Sequence, residues 1–141
     1  MPIIKDSDRK AVQDALADLS TPVEMILFTR AQDCEYCEPT RELLGEVAAL
    51  SPKITLKVHD LDKDAGLAAT YGVDKVPALV LRNEKDYGIR FFGIPAGYEF
   101  STLIDDIKDV SREQHGLSAP ILEQLAKVNR PVHIQVLVTP S

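Results

Sequence analysis

The chain has 141 residues, 45% hydrophobic and 27% charged, which describes an ordinary globular domain with room for a real core. A net charge of −6 argues against nucleic acid and anionic membrane surfaces as partners, and no apolar run approaches the roughly 20 residues of a membrane span. Two cysteines cannot scaffold a secreted protein, and Met1 to Lys10 lacks the apolar centre of a signal peptide, so a cytoplasmic setting is expected.

In chain order, a first helix spans about 7–19, capped by Ser7 or Asp8, with Val12, Leu16 and Leu19 on one face. Ser20-Thr21-Pro22 stops it, and the apolar run 23–29 follows as a strand. A helix over about 35–50 carries Pro39 in its first turn and a stripe of Leu43, Leu44, Val47, Ala48 and Leu50. The alternation of Ile54, Leu56 and Val58 predicts a strand over 54–61, and a short helix spans about 64–71. Val76-Pro77 precedes a nearly all-apolar strand, 78–82, which is expected to be central. A turn at 83–86 leads to a hairpin partner at 88–92. Phe100, Leu103, Ile104, Ile107 and Val110 then mark a helix covering the sheet. The order predicts an α/β layer fold.

Chemistry concentrates at Cys34-Glu35-Tyr36-Cys37, where a strand hands over to a helix. These are the only cysteines, and two intervening residues let both sulfurs share one helical turn. A helix start leaves N–H groups unpaired and carries partial positive charge, which stabilises a thiolate. Cys34, nearer the entrance, is the expected nucleophile, and Cys37, expected one turn in, the resolving thiol. Acidic neighbours oppose the helix. Asp33, Glu35 and Glu38 would each disfavour a thiolate by roughly 0.6 kcal/mol at about 7 Å in water. Three of them about cancel a helix terminus, which contributes 0.3–1 kcal/mol typically and up to about 2 when partly buried, with Arg30 and Arg41 returning part. The site is therefore expected to reduce or isomerise disulfides, not to oxidise strongly.

Residues 118–128 form another expected helix, with Ile121, Leu125 and Val128 spaced as Val12, Leu16 and Leu19 are. Pro131-Val132 to Thr139 then parallels Pro22-Val23 to Thr29. The chain accordingly divides into one unit with its N-terminal helix, 1–112, and a segment 113–141. That second segment is a linker plus the opening helix and strand of another, truncated unit. Its strand, with Val132, Ile134, Val136 and Val138 on one face, is an unpaired edge expected to join its own sheet or that of a second copy, giving a homodimer.

With Cys34-Glu-Tyr-Cys37 between strand and helix, and Gly72-Val-Asp-Lys-Val76-Pro77-Ala-Leu-Val-Leu about forty residues later, the chain resembles the thioredoxin-fold family. More closely, Tyr87 to Phe100 and Asp109 to Glu113 resemble the N-terminal unit of glutaredoxin-like protein disulfide oxidoreductases, which carry two thioredoxin folds in tandem. The N-terminal domain of alkyl hydroperoxide reductase flavoproteins is similar too, but its first unit usually lacks the cysteines present here. The resemblance implies a central mixed sheet flanked by helices, with an extra N-terminal helix and a C-terminal helix–strand extension. It implies catalysis by Cys34 and Cys37 without a cofactor or metal, a cis Val76-Pro77 bond, and substrate binding by Val76, Pro77 and Tyr36. Partners would be protein disulfides and a thioredoxin-reductase-like electron donor, with no nucleic acid or membrane.

The sequence departs from thioredoxins proper in having Asp33 before Cys34 and Phe28, in place of a carboxylate, six residues before it. Glu24 and His59 are the candidates to take the Cys37 proton instead. Rival readings are a docking module without turnover, a purely structural disulfide, and a metal site at a dimer interface, since structural zinc needs four ligands and a single CxxC offers two. His115 and His133 read as packing or surface residues, and the pairs Asp60/Asp62 and Asp105/Asp106 as solvated turns and faces.

Overall fold

The computed structural model describes residues 2–139. Its elements are α1 (Asp6–Ala15), β1 (Val23–Thr29), α2 (Cys37–Ala49), β2 (Ile54–Asp60), α3 (Ala65–Thr70), β3 (Ala78–Arg82), β4 (Ile89–Phe92), α4 (Tyr98–Arg112) and α5 (Ala119–Leu125). Four strands make one mixed sheet in the order β2-β1-β3-β4. β2 runs parallel to β1, while β3 is antiparallel to both β1 and β4. The expected α/β layer fold is what forms.

The apolar run of β1 is explained by burial on both faces. Met25 and Leu27 face a core shared with Val12 and Leu16, with Leu43, Leu44 and Val47 of α2, and with Leu103 and Ile107 of α4. Ile26 and Phe28 point the other way, into a smaller core with Ala78, Val80, Leu61, Ala68 and Val73 beneath α3. Strand side chains alternate between faces, so a strand covered on both sides must be apolar at every position. At an edge the demand relaxes: in β2 only Ile54 is buried and Val58 is 42% exposed.

The N-terminal helix belongs to this body. The Glu46 carboxylate of α2 accepts the backbone N–H groups of Ile3 and Ile4 and pairs with Arg9 at 3.2 Å, pinning the entry to α1. Where the chain leaves for β1, Thr21 Oγ1 donates to the Ser111 carbonyl and Ser111 Oγ to the Thr21 carbonyl, both at 2.7 Å.

The C-terminal extension departs from expectation. α5 is shorter than predicted and contains no buried residue. No strand forms over 132–138. Val132, Ile134, Val136, Leu137 and Val138 are 65–95% exposed, and β2 and β4 remain the sheet edges. The reason is physical: a strand exists only through inter-strand hydrogen bonds, and neither sheet edge pairs with this segment. No helix among the described residues is long and apolar enough to cross a membrane.

Candidate active site

β1 ends at Thr29, and the chain loops through Arg30 to Tyr36 before α2 begins. Asp33 takes a left-handed conformation, φ 55°, to make this turn. Cys37 is the first residue of α2 and therefore opens the helix, where the sequence had suggested a place one turn in; its N–H donates to the Cys34 carbonyl at 3.4 Å. The two sulfurs are disulfide-bonded, with a Cα–Cα distance of 5.4 Å. Their surroundings differ: Cys37 is 5% exposed, while Cys34 is half-buried and reachable. That asymmetry suits one sulfur to meet an outside partner and the other to wait beneath it.

Thr40 fixes the first turn of α2. It is fully buried, and its Oγ1 donates to the Tyr36 carbonyl at 2.6 Å. Tyr36, between the cysteines in sequence, is 52% exposed. The Val76-Pro77 peptide is cis and immediately precedes β3. Because Ala78 pairs with Phe28, the register brings the start of β3 to the end of β1, so Pro77 and the cysteine loop share one end of the sheet. No described residue hydrogen-bonds to the Val76 backbone N–H or C=O.

The bonded cysteines open into a cleft of about 440 Å³ lined by Thr29, Arg30, Ala31, Glu38, Arg41, Val58 and Asp60. A larger cavity of about 540 Å³ lies at the other end of β1, among Pro22, Glu24, Lys57, Arg82 and Glu113, and touches neither sulfur. The cleft's cations are engaged. Arg30 holds Asp62 through two bonds of 2.8 and 2.9 Å, which keeps the Asp62 carboxyl below its usual range, and Arg41 meets Glu38 at 3.4 Å. Asp33 and Glu35 have no ion-pair partner among the described residues.

Neither candidate for the Cys37 proton stands in the cleft. Glu24 pairs with Lys57 and Arg82 at the far end of β1. His59 stacks against Phe28 at 5.7 Å, with Nδ1 3.0 Å from Asp64. Asp60, read from sequence as a solvated turn residue, does line the cleft, and composition carried no signal of it, because a parallel register with β1 places it there. Among the described residues no three His, Cys, Asp or Glu side chains group to hold a metal ion.

No family model matches the chain. The solved N-terminal domain of the alkyl hydroperoxide reductase AhpF from Enterococcus faecalis superposes with a TM-score of 0.78 at 30% identity, over 86% of this chain and 59% of that one. A protein disulfide oxidoreductase from Aeropyrum pernix gives a TM-score of 0.78 at 27% identity, over 88% and 55%. This is a thioredoxin-fold protein. In sequence, the AhpF protein of Pseudomonas aeruginosa is 32% identical over 114 residues, 78% of this chain. The chain spans only 19% of that relative and 24% of its Staphylococcus epidermidis counterpart. Both groups raised by the sequence thus recur, and for this thioredoxin-fold chain the cysteines had weighed against one of them.

Proposed function

We propose that the chain is a thiol–disulfide oxidoreductase that reduces or isomerises protein disulfides by cycling Cys34 and Cys37 between dithiol and disulfide. The observation that carries this reading is the bond itself, formed between a reachable Cys34 and a buried Cys37 at the start of α2. Cys34 attacks as thiolate, assisted by the α2 terminus, and Cys37 displaces the substrate from the mixed disulfide. An extended substrate segment lies along Val76, whose backbone groups are free to pair with it, against Pro77 and the Tyr36 ring. The similarity to alkyl hydroperoxide reductase AhpF and to a disulfide oxidoreductase supports protein disulfides as substrates and a thioredoxin-reductase-like donor of electrons; a cytoplasmic setting belongs to the same proposal and rests on the sequence.

Residues 1–112 form the working unit, and 113–141 a linker with the first helix of a second unit and a segment that becomes a strand on pairing. The five apolar side chains exposed over 132–138 favour pairing with a second copy.

Insulin reduction driven by dithiothreitol tests the main reading. The wild type accelerates precipitation of the insulin B chain, Cys34→Ser abolishes the effect, and Cys37→Ser accumulates a mixed disulfide visible by mass spectrometry. A wild type that never accelerates the reaction would leave a docking module as the better account.

A further inference from the structure

Phe28 occupies the position where thioredoxins proper keep a carboxylate, and it is fully buried on the α3 face of the sheet. The cysteines open on the opposite face, since α2 packs over Met25 and Leu27. Thr29 lies on this face, and Asp60 is its partner across the β1–β2 register, so the two stand together at the sheet end from which the cysteine loop departs. Both line the cleft that contains Cys34 and Cys37.

Asp60 is also held in place. Its Oδ1 accepts the backbone N–H groups of Asp62 at 3.0 Å and Lys63 at 3.1 Å, whereas no described residue bonds to Oδ2. Asp60 is half-buried as a residue, and at about 440 Å³ the cleft has room for several waters of roughly 30 Å³ each. Its rivals are otherwise engaged or more exposed: Glu38 is tied to Arg41, with its side chain 66% exposed, and Asp62 is tied to Arg30. Around Asp60 the charged groups are Arg30 and Asp33 from the β1 loop, Glu38 and Arg41 from α2, and Asp62 and Lys63 from its own loop.

We propose that Asp60 is the proton acceptor for Cys37, working through water in the cleft. This rests on the oxidoreductase reading above. In the step assigned to it, Cys34 is already joined to one substrate sulfur, the other having left as a thiolate. The Cys37 S–H proton passes to the Asp60 carboxylate, and the Cys37 sulfur attacks Cys34 Sγ. The Cys34–Cys37 bond forms as the Cys34–substrate bond breaks. The departing substrate sulfur takes the electron pair and then the proton from Asp60. The protein dithiol is thereby oxidised and the substrate disulfide reduced, with the carboxylate regenerated.

The test uses reduced protein and an aromatic disulfide, dithiobis-nitrobenzoate, whose thiolate is released in two stopped-flow phases: attack by Cys34, then displacement by Cys37. Asp60→Asn keeps the Oδ1 acceptor that holds the loop but loses the base. It is expected to slow the second phase about tenfold or more at neutral pH and leave the first unchanged. Asp60→Glu restores most of the rate, and Asp62→Asn, a nearby carboxylate outside the cleft's lining, leaves it alone. The wild type provides a measurement independent of any variant's folding: with an internal acceptor, its second phase does not rise with phosphate concentration, whereas that of Asp60→Asn does. A second phase that is unaffected in Asp60→Asn, equally slow in Asp60→Glu, or buffer-dependent in the wild type overturns the assignment of Asp60. A wild type that shows no second phase overturns the oxidoreductase reading itself.

Discussion

Cys34 and Cys37 are separated by two residues yet differ in burial because α2 begins at Cys37, which places one sulfur under the helix and leaves the other at its mouth. The carboxylates of Asp33 and Glu35 stand in the same solvent as Cys34 without cationic partners among the described residues. Asp33→Asn or Glu35→Gln should each raise the rate of iodoacetamide alkylation of reduced Cys34 at neutral pH about threefold, the factor corresponding to roughly 0.6 kcal/mol of relieved repulsion. An unchanged rate in both would mean that the helix terminus alone sets the thiolate population. Asp86 illustrates titration linked to folding. Hydrogen bonds from Arg90 draw its carboxyl from 3.8 down to about 2. A depressed folded-state value stabilises the protein above the unfolded value, and that contribution is lost as pH falls from about 3.8 through about 2. Thermal melts over that window should fall less steeply in Asp86→Asn than in the wild type.

Among the elements, β1 was the most legible, because a strand buried on both faces leaves no position for a polar side chain except near its ends. Removing the Phe28 ring by Phe28→Ala should cost about 3–5 kcal/mol in chemical denaturation, since the smaller core under α3 has few side chains with which to refill the space. β2 was less so: its alternation is genuine, but Val58 faces the cleft near the cysteines, so the apolar phase of an edge strand does not report burial. The clasp of Glu46 on Ile3 and Ile4 was invisible in the sequence, joining residues 42 and 43 positions apart. In Glu46→Ala those two amides should exchange faster by hydrogen–deuterium mass spectrometry while the amides of β1 and β3 keep their protection.

For the whole molecule, burial ends with α4. The described residues beyond Arg112 are all exposed, and none joins either core. A chain ending at Gly116, which keeps Glu113 for its bond with Asn83, should melt within about 2 °C of the full chain, because apolar burial sets most of the stability. It should also lose any concentration-dependent dimer seen by sedimentation. A fall of several degrees would place the boundary of the folding unit further along the chain. The parallel between 118–139 and 7–29 is clear in the sequence, yet only the first copy becomes a helix and a strand inside a core.

The sequence alone determined the cysteine pair, the order of strands and helices and the layer class, because those depend on spacing, periodicity and turn residues that act over a few positions. Tertiary structure decided which face of the sheet each position meets, that Cys37 and not an earlier residue opens α2, that Asp60 shares the cysteine cleft while Glu24 and His59 do not, and that 132–138 stays unpaired. Each of these depends on the pairing of segments distant in the chain, and a strand's register and its access to a partner are properties of the assembled sheet.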